Sequence, residues 1–231
     1  LYFQAMENDN TGNFQSPSLN NLLNTAYNAG ARTHTNSWGS SSASQQSKYN
    51  SETEDVDDRA SYYDRYYNGR QGLTILFAAG NDGPNSGTVS PPATAKNIIS
   101  VGNHKNRYSG APDVMMSGSS RGPTEDGRIK PDLVAPGGYV RSCRAQEAGD
   151  TGTATWRNTY YLEYTGTSMA TPNAAGAAAM VREYLEEIAQ RPSPQGALVK
   201  ALLVLGAQDI GTRDIPNKDE GWGRVNLRNS L

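Results

Sequence analysis

Gly166-Thr167-Ser168-Met169-Ala170-Thr171-Pro172 places a hydroxyl where a loop turns into a helix. At such a junction the first amide N–H groups have no partner inside the helix and the helix dipole is positive. A nucleophile there has an anion-stabilising site beside it, its own N–H being one donor. Ser168 is therefore a candidate nucleophile for acyl transfer, although the heptapeptide by itself also describes an ordinary serine cap on an alanine-rich core helix. A second segment, Leu76-Phe77-Ala78-Ala79-Gly80-Asn81-Asp82-Gly83, ends an apolar run with an amide side chain at the carboxyl edge of a strand, where open α/β sheets bind ligands. Asn81 in that place can donate to an oxyanion. A third, His34-Thr35-Asn36-Ser37-Trp38-Gly39, ends another strand in small residues that leave backbone free to pair with an extended peptide.

These groups need elements to hold them. Leu19, Leu22, Leu23 and Ala26 form an apolar stripe at helical spacing, with Ser16-Pro17 as its start signal and Gly30 as its stop. A short strand over 31–37 follows, then a Ser/Gln loop and a helix over 53–68 with acids in its first turn. The continuous apolar run Leu73–Ala79 has the character of a strand buried on both faces of a parallel sheet. Asn97–Val101 and the Pro131–Pro136 stretch supply two more strands, and Thr159–Tyr164 an edge or hairpin strand. Ser168–Gln190 predicts a long helix whose first turns are nearly all small residues, and Pro194–Gly206 a further helix. Helices alternating with apolar strands define an α/β fold with a mainly parallel sheet.

Composition narrows the function further. The 231 residues carry 21 Lys and Arg against 23 Asp and Glu, a net charge of −2 with no basic run, so nucleic-acid binding has no electrostatic footprint. No apolar stretch approaches the roughly 18 residues of a spanning helix, which removes a membrane span from the expectations. Cys143 is the single cysteine, which excludes an internal disulfide and leaves the redox compartment open. Residues 1–6 read as the remnant of an expression tag and cloning sequence, leaving 7–231 as one domain.

Five motifs stand in one order: Asn36-Ser37-Trp38-Gly39, Ala79-Gly80-Asn81-Asp82-Gly83, Ser119-Ser120-Arg121-Gly122-Pro123, Lys130-Pro131-Asp132-Leu133-Val134-Ala135-Pro136-Gly137 and Gly166–Pro172. Together they resemble the subtilisin-like serine proteases (subtilases), most of all the branch of oxidatively stable alkaline proteases, from about Ser18 to Leu231. The resemblance implies a subtilisin-like α/β fold and a serine endopeptidase acting on peptide or protein substrates. Ser168 would be the nucleophile and Asn81 the oxyanion donor. Ser37, Trp38, Gly39 and Ala78, Ala79, Gly80 would be the two edges that grip the substrate and wall its specificity pocket. It also implies export from the cell and structural calcium, with no cofactor needed for the chemistry.

A serine hydroxyl is a poor nucleophile without a base. The family orders Asp, then His, then Ser, with His followed by Gly, and neither histidine here fits that pattern. His34 lies inside the strand motif and reads as structural; His104, after Val101-Gly102-Asn103, reads as a solvated residue of a strand-end loop. Asp150-Thr151-Gly152 imitates the family's aspartate motif but follows every other motif except the serine's, and reads as a turn. The chain thus looks like the carboxy-terminal two-thirds of a catalytic domain, incomplete at its amino-terminal side and inactive by itself. The missing amino-terminal segment is then its first partner. Losing it would expose the flank of the 31–36 strand, inviting self-association. The alternative is a non-catalytic subtilase-like module that binds peptides or partner chains.

Weaker signals complete the picture. Gly118-Ser119-Ser120-Arg121-Gly122 matches G-x-S-x-G, but Pro123 and a polar stretch follow where an α/β-hydrolase elbow needs a helix. In the family reading it is a structural loop, with Arg121 pairing a carboxylate. Glu52, Glu54, Asp55, Asp57 and Asp58, and Asp214, Asn217, Asp219 and Glu220, are oxygen-rich enough to hold calcium, or are simply a solvated helix start and a loop. Asp82 either biases the pocket toward basic or polar side chains or serves as a turn residue.

Overall fold

Two of four parallel strands and one helix carry the three segments to one edge. In the computed structural model, which describes residues 1–4, 6–8, 13–14, 18–65, 72–144 and 156–231, a two-residue ribbon of β1 (Glu7–Asn8) and β2 (Asn13–Phe14) precedes helix α1 (Leu19–Asn28). Strand β3 (Thr33–Asn36), helix α2 (Ser51–Arg65), and strands β4 (Thr74–Ala78), β5 (Ile99–His104) and β6 (Leu133–Pro136) follow. The sheet order is β3-β4-β5-β6, every pair parallel, with His34 beside Ile75 and Leu76 beside Ile99. This is the mainly parallel sheet flanked by helices that the sequence predicts.

Each face of the sheet has its own core. Because side chains alternate along a strand, Ile75 and Phe77 of β4 join Leu19, Leu22 and Leu23 of α1 and Val56 and Tyr63 of α2. Leu76 points the other way, with Ile99, Val101 and Leu133, and is covered by α3 (Thr167–Glu187) and α4 (Gly196–Leu205). All five residues of β4 are buried, and enclosing Phe77 alone contributes ~2–3 kcal/mol. Ala170, Ala174, Ala177 and Ala178 make the inner face of α3, so its axis lies close enough to touch all four strands.

Polar groups fasten the layers. Asp64 of α2 accepts the Gly196 and Ala197 amides at 2.9 and 3.0 Å, a carboxylate placed on the positive end of α4. Asp132, just before β6, binds Lys130 Nζ at 2.6 Å and the Ser100 amide at 2.7 Å inside the protein, and the half-buried Lys200 Nζ at 3.0 Å. The two lysines hold the Asp132 carboxyl below its usual range against the opposing effect of burial.

The structure departs from the sequence expectations in places. Beyond the central sheet lies an antiparallel one of order β7-β9-β8, built from β7 (Val140–Cys143), β8 (Trp156–Arg157) and β9 (Tyr161–Tyr164), and β7 was not foreseen. A short helix α5 (Leu227–Ser230) near the carboxyl terminus was also unread. Ser18 occupies the cap position of α1; the expected start at Ser16-Pro17 lies outside the described residues. The Asn97–Val101 strand is instead Ile99–His104, which corrects His104. It ends β5 only 1% exposed, with Nδ1 donating to the Lys105 carbonyl at 2.6 Å, and is no solvated loop residue.

Candidate active site

The carboxyl ends of β3 and β4 and the amino terminus of α3 meet at one point. Ser168 is the second residue of α3 and half-buried. Its hydroxyl donates to the Ser37 carbonyl at 3.1 Å, while the Ser37 hydroxyl donates to the Ser168 carbonyl at 2.8 Å. Ser37 directly follows β3, so this reciprocal pair ties residues 131 apart in sequence.

Asn81 is held against the same helix end. Its Oδ1 accepts the Thr167 amide at 2.9 Å and stands 3.1 Å from the Thr167 hydroxyl. An amide N–H can only donate, so this contact fixes which end of the Asn81 side chain is oxygen and leaves Nδ2 as its donor. Thr167 is fully buried and its hydroxyl also lies 3.2 Å from the Gly80 carbonyl. Thr167 was passed over in the sequence, although a hydroxyl next to the candidate nucleophile at a helix entry is a signal that could have found it.

A buried loop supports Gly80 and Asn81 from behind. Ser120 donates its amide to the Gly80 carbonyl at 3.0 Å and its hydroxyl accepts the Asp82 amide at 3.1 Å. Gly80 has φ of +112°, and a Cβ there would stand 2.8 Å from Ser120 Oγ. Ser119 and Ser120 are fully buried with no helix after them, so Gly118–Gly122 is a buttress and no nucleophile elbow. Arg121 donates to the main-chain carbonyls of Asp219 and Met116, which corrects the expected carboxylate partner.

The remaining candidate positions flank this meeting point or stand apart from it. Trp38 is half-buried and meets Phe77 edge-on at 5.3 Å, anchoring the Ser37-Trp38-Gly39 edge in the core; Gly39 is exposed. Ala78 and Ala79 are buried, the Ser90 amide donating to the Ala79 carbonyl at 3.0 Å. Asp82 accepts from the Gln46 amide at 2.7 Å. Among the acids of α2, Asp57 turns inward to accept the Lys96 and Asn97 amides at 2.9 and 2.6 Å. Glu220 caps the Ile210 amide at 2.9 Å, and burial raises its carboxyl above the usual range. Among the described residues no group of three or more His, Cys, Asp or Glu converges as a metal site. Asp150-Thr151-Gly152 lies outside the described residues.

Both histidines are committed elsewhere. Asn36 Nδ2 lies 3.0 Å from His34 Nδ1 and 3.1 Å from the Leu76 carbonyl; since that amide nitrogen only donates, Nδ1 accepts and Nε2–H donates to Gln4 Oε1 at 3.1 Å. Burial lowers the His34 pKa from 6.5 to about 4 and also lowers that of His104, so both rings are neutral at pH 7. The proton of Ser168 faces a carbonyl oxygen, which cannot take it as a base.

Comparison with known proteins bears on family and fold. Residues 1–223 match the model of the Subtilase family of peptidases. The chain is similar to the serine protease AprX of Bacillus subtilis, 37% identical over 69% of this chain and 35% of that protein. It also resembles the serine protease/ABC transporter B family protein tagD of Dictyostelium discoideum, 31% identical over 81% of this chain and 14% of that protein. It thus spans about a third or less of these two relatives. Among solved structures, the prenylagaramide maturation protease PagA aligns with TM-score 0.65 at 18% identity, over 94% of this chain and 68% of that one, a likeness of fold. No helix among the described residues is long and apolar enough to cross a membrane. With the motifs, the parallel sheet and the family match in agreement, the chain belongs to the Subtilase family and carries its α/β fold.

Proposed function

We propose that this chain is the nucleophile-bearing part of a serine endopeptidase. Ser168 attacks the scissile carbonyl and Asn81 Nδ2 with the Ser168 amide stabilises the tetrahedral oxyanion. The Ser168 proton passes to a base on an upstream segment, then to the leaving amine, and water releases the acyl-enzyme. Ser37-Trp38-Gly39 and Ala78-Ala79-Gly80 bracket an extended substrate. The observation that carries this reading is the meeting of Ser168 and Asn81 at one helix terminus, with Thr167 setting the direction of the Asn81 amide. Losing one such donor costs about 10²–10³ in rate, a magnitude that comes from subtilisin and not from this chain.

The base and its orienting acid are proposed to arrive on a segment that docks beside β3. A cleft of about 530 Å³ lies along that flank, walled by Leu22, His34 and Trp38 on one side and on the other by residues 1–4, the stretch that reads as tag remnant. Pairing of β3 with a second copy is the competing use of the same edge. Structural calcium and export belong to this proposal by family likeness.

Fluorophosphonate labelling read by intact mass tests the reading, because the reagent reports an activated serine. This chain alone is expected to remain unlabelled, and addition of the upstream segment to produce a label that Ser168→Ala abolishes. A completed protein that binds peptides yet never labels would overturn the enzyme and favour the binding module. That second reading draws on the Ser168 hydroxyl being bound to a carbonyl and on neither histidine serving it.

A further inference from the structure

We propose that the side chain of Ser37 is a positioning residue for the nucleophile, acting through the Ser168 carbonyl that Pro172 leaves without its helical partner; this rests on the catalytic reading of Ser168 above. In an α-helix the carbonyl of residue 168 is the acceptor for the amide of residue 172. That residue is Pro172, which lies inside α3, has no N–H to give, and crowds the carbonyl four residues before it. The carbonyl so released belongs to the nucleophile itself. The Ser37 hydroxyl donates to it at 2.8 Å. In return the Ser168 hydroxyl reaches back to the Ser37 carbonyl at 3.1 Å, so the two residues close a ring of hydrogen bonds between the end of β3 and the first turn of α3.

The surroundings make this link the controlling one. On the opposite side, Thr167 is pinned to Gly80 and Asn81 by its amide and hydroxyl. The Thr171 hydroxyl takes the Thr167 carbonyl at 2.8 Å, and the Asn173 amide group takes the Met169 carbonyl at 3.2 Å. The first turn of α3 is thereby fixed by side chains, and among the described residues Ser37 is the side-chain donor to the carbonyl of residue 168. The heptapeptide's proline and the serine of the Asn36-Ser37-Trp38-Gly39 motif are two halves of one device. Pro172 frees the carbonyl, and Ser37 uses it to set the rotation of the helix entry on which Oγ rides. The same contact couples the nucleophile to β3, the strand beside which the base is proposed to dock.

A double-mutant cycle separates positioning from mere packing. In this chain, Ser37→Ala lowers the urea midpoint in the Pro172 background. In the Pro172→Ala background, where the substituted alanine supplies the missing amide, the loss shrinks toward zero. In the full-length protein with its upstream segment, Ser37→Ala slows fluorophosphonate labelling of Ser168 about tenfold, the effect of one lost hydrogen bond. Ser37→Thr, which keeps the hydroxyl, restores the rate to within about twofold, and Ser37→Ala/Pro172→Ala recovers most of it. Equal losses of midpoint in both backgrounds would overturn the link to Pro172. An unchanged labelling rate in Ser37→Ala beside a coupled midpoint would overturn positioning and leave a structural tie. A full-length protein unlabelled in every background would instead sink the protease reading, and this proposal with it.

Discussion

Acid should weaken this fold through His34 in a way that can be isolated. At neutral pH the ring accepts from Asn36 on Nδ1 and donates from Nε2, and only 9% of the residue is exposed. Protonation would put a hydrogen on Nδ1 facing Asn36 Nδ2, a nitrogen that can only donate and that the Leu76 carbonyl holds in place, so the bond becomes a repulsion within the core. Burial sets the folded pKa at about 4 against an ordinary 6.5. Between those values the unfolded chain binds the proton and the folded one refuses it, so stability falls as pH drops. The contribution is complete above pH 6.5 and lost by about pH 4. At 1.36 kcal/mol per unit, the difference amounts to ~3 kcal/mol, a large part of the 5–15 kcal/mol of a typical domain. The assay is urea unfolding at pH 7, 6, 5 and 4 on the unaltered chain and on His34→Gln. Subtracting the two cancels carboxylates such as Asp126, whose pKa is also depressed, by Arg128 and Thr124. The unaltered chain should lose ~3 kcal/mol more than the variant across that window. Parallel curves, or a His34 ring that titrates near 6.5 by NMR, would refute the reasoning.

Three other perturbations should act through named contacts. Gly80→Ala forces a left-handed backbone on a residue with a Cβ 2.8 Å from Ser120 Oγ, and should cost ~1–3 kcal/mol in urea unfolding while lowering Ser168 labelling in the completed protein. Asp64→Ala strips the acceptor from two amides at the start of α4, and a loss of ~1–2 kcal/mol in the same assay is expected, partly reversed by Asp64→Asn. Asp132→Asn leaves the buried Lys130 and the half-buried Lys200 without their shared counter-charge. A destabilisation of ~3–5 kcal/mol should follow, and a change within 1 kcal/mol (about the worth of a surface pair) would show that the cluster is not truly dry.

What could be read in advance follows from where the information sits. Leu73–Ala79 announces β4 because a strand enclosed on both faces must be apolar throughout, and the alanine run announces α3 because close approach to a sheet demands small side chains. That Ser168 and Asn81 would come together was legible for a related reason, since helix entries and strand ends are where backbone donors and side chains converge. Strand β7 was not, because Val140–Cys143 is mostly exposed and is made a strand only by pairing with Tyr161–Tyr164. His104 was misjudged because hydropathy ends the strand at Val101, whereas the ladder continues through polar residues, Asn103 receiving support from Ser119 Oγ at 3.0 Å. The Ser37–Ser168 pairing was half visible. Pro172 announces an orphaned carbonyl four residues earlier, but only the fold reveals which hydroxyl fills the need.

The order of the elements along the chain has a consequence for synthesis. Strands β3 to β6 emerge in the same order in which they lie in the sheet, so a growing chain can lay them down one beside the next. Ser168 and the helix that carries it come afterwards. Until they do, Leu76, Ile99, Val101 and Leu133 have no cover on their side of the sheet. Translation therefore acts as a timer: one face of the sheet stays bare until α3 is made, and the same late helix both seals that face and brings Ser168 to the ends of the strands.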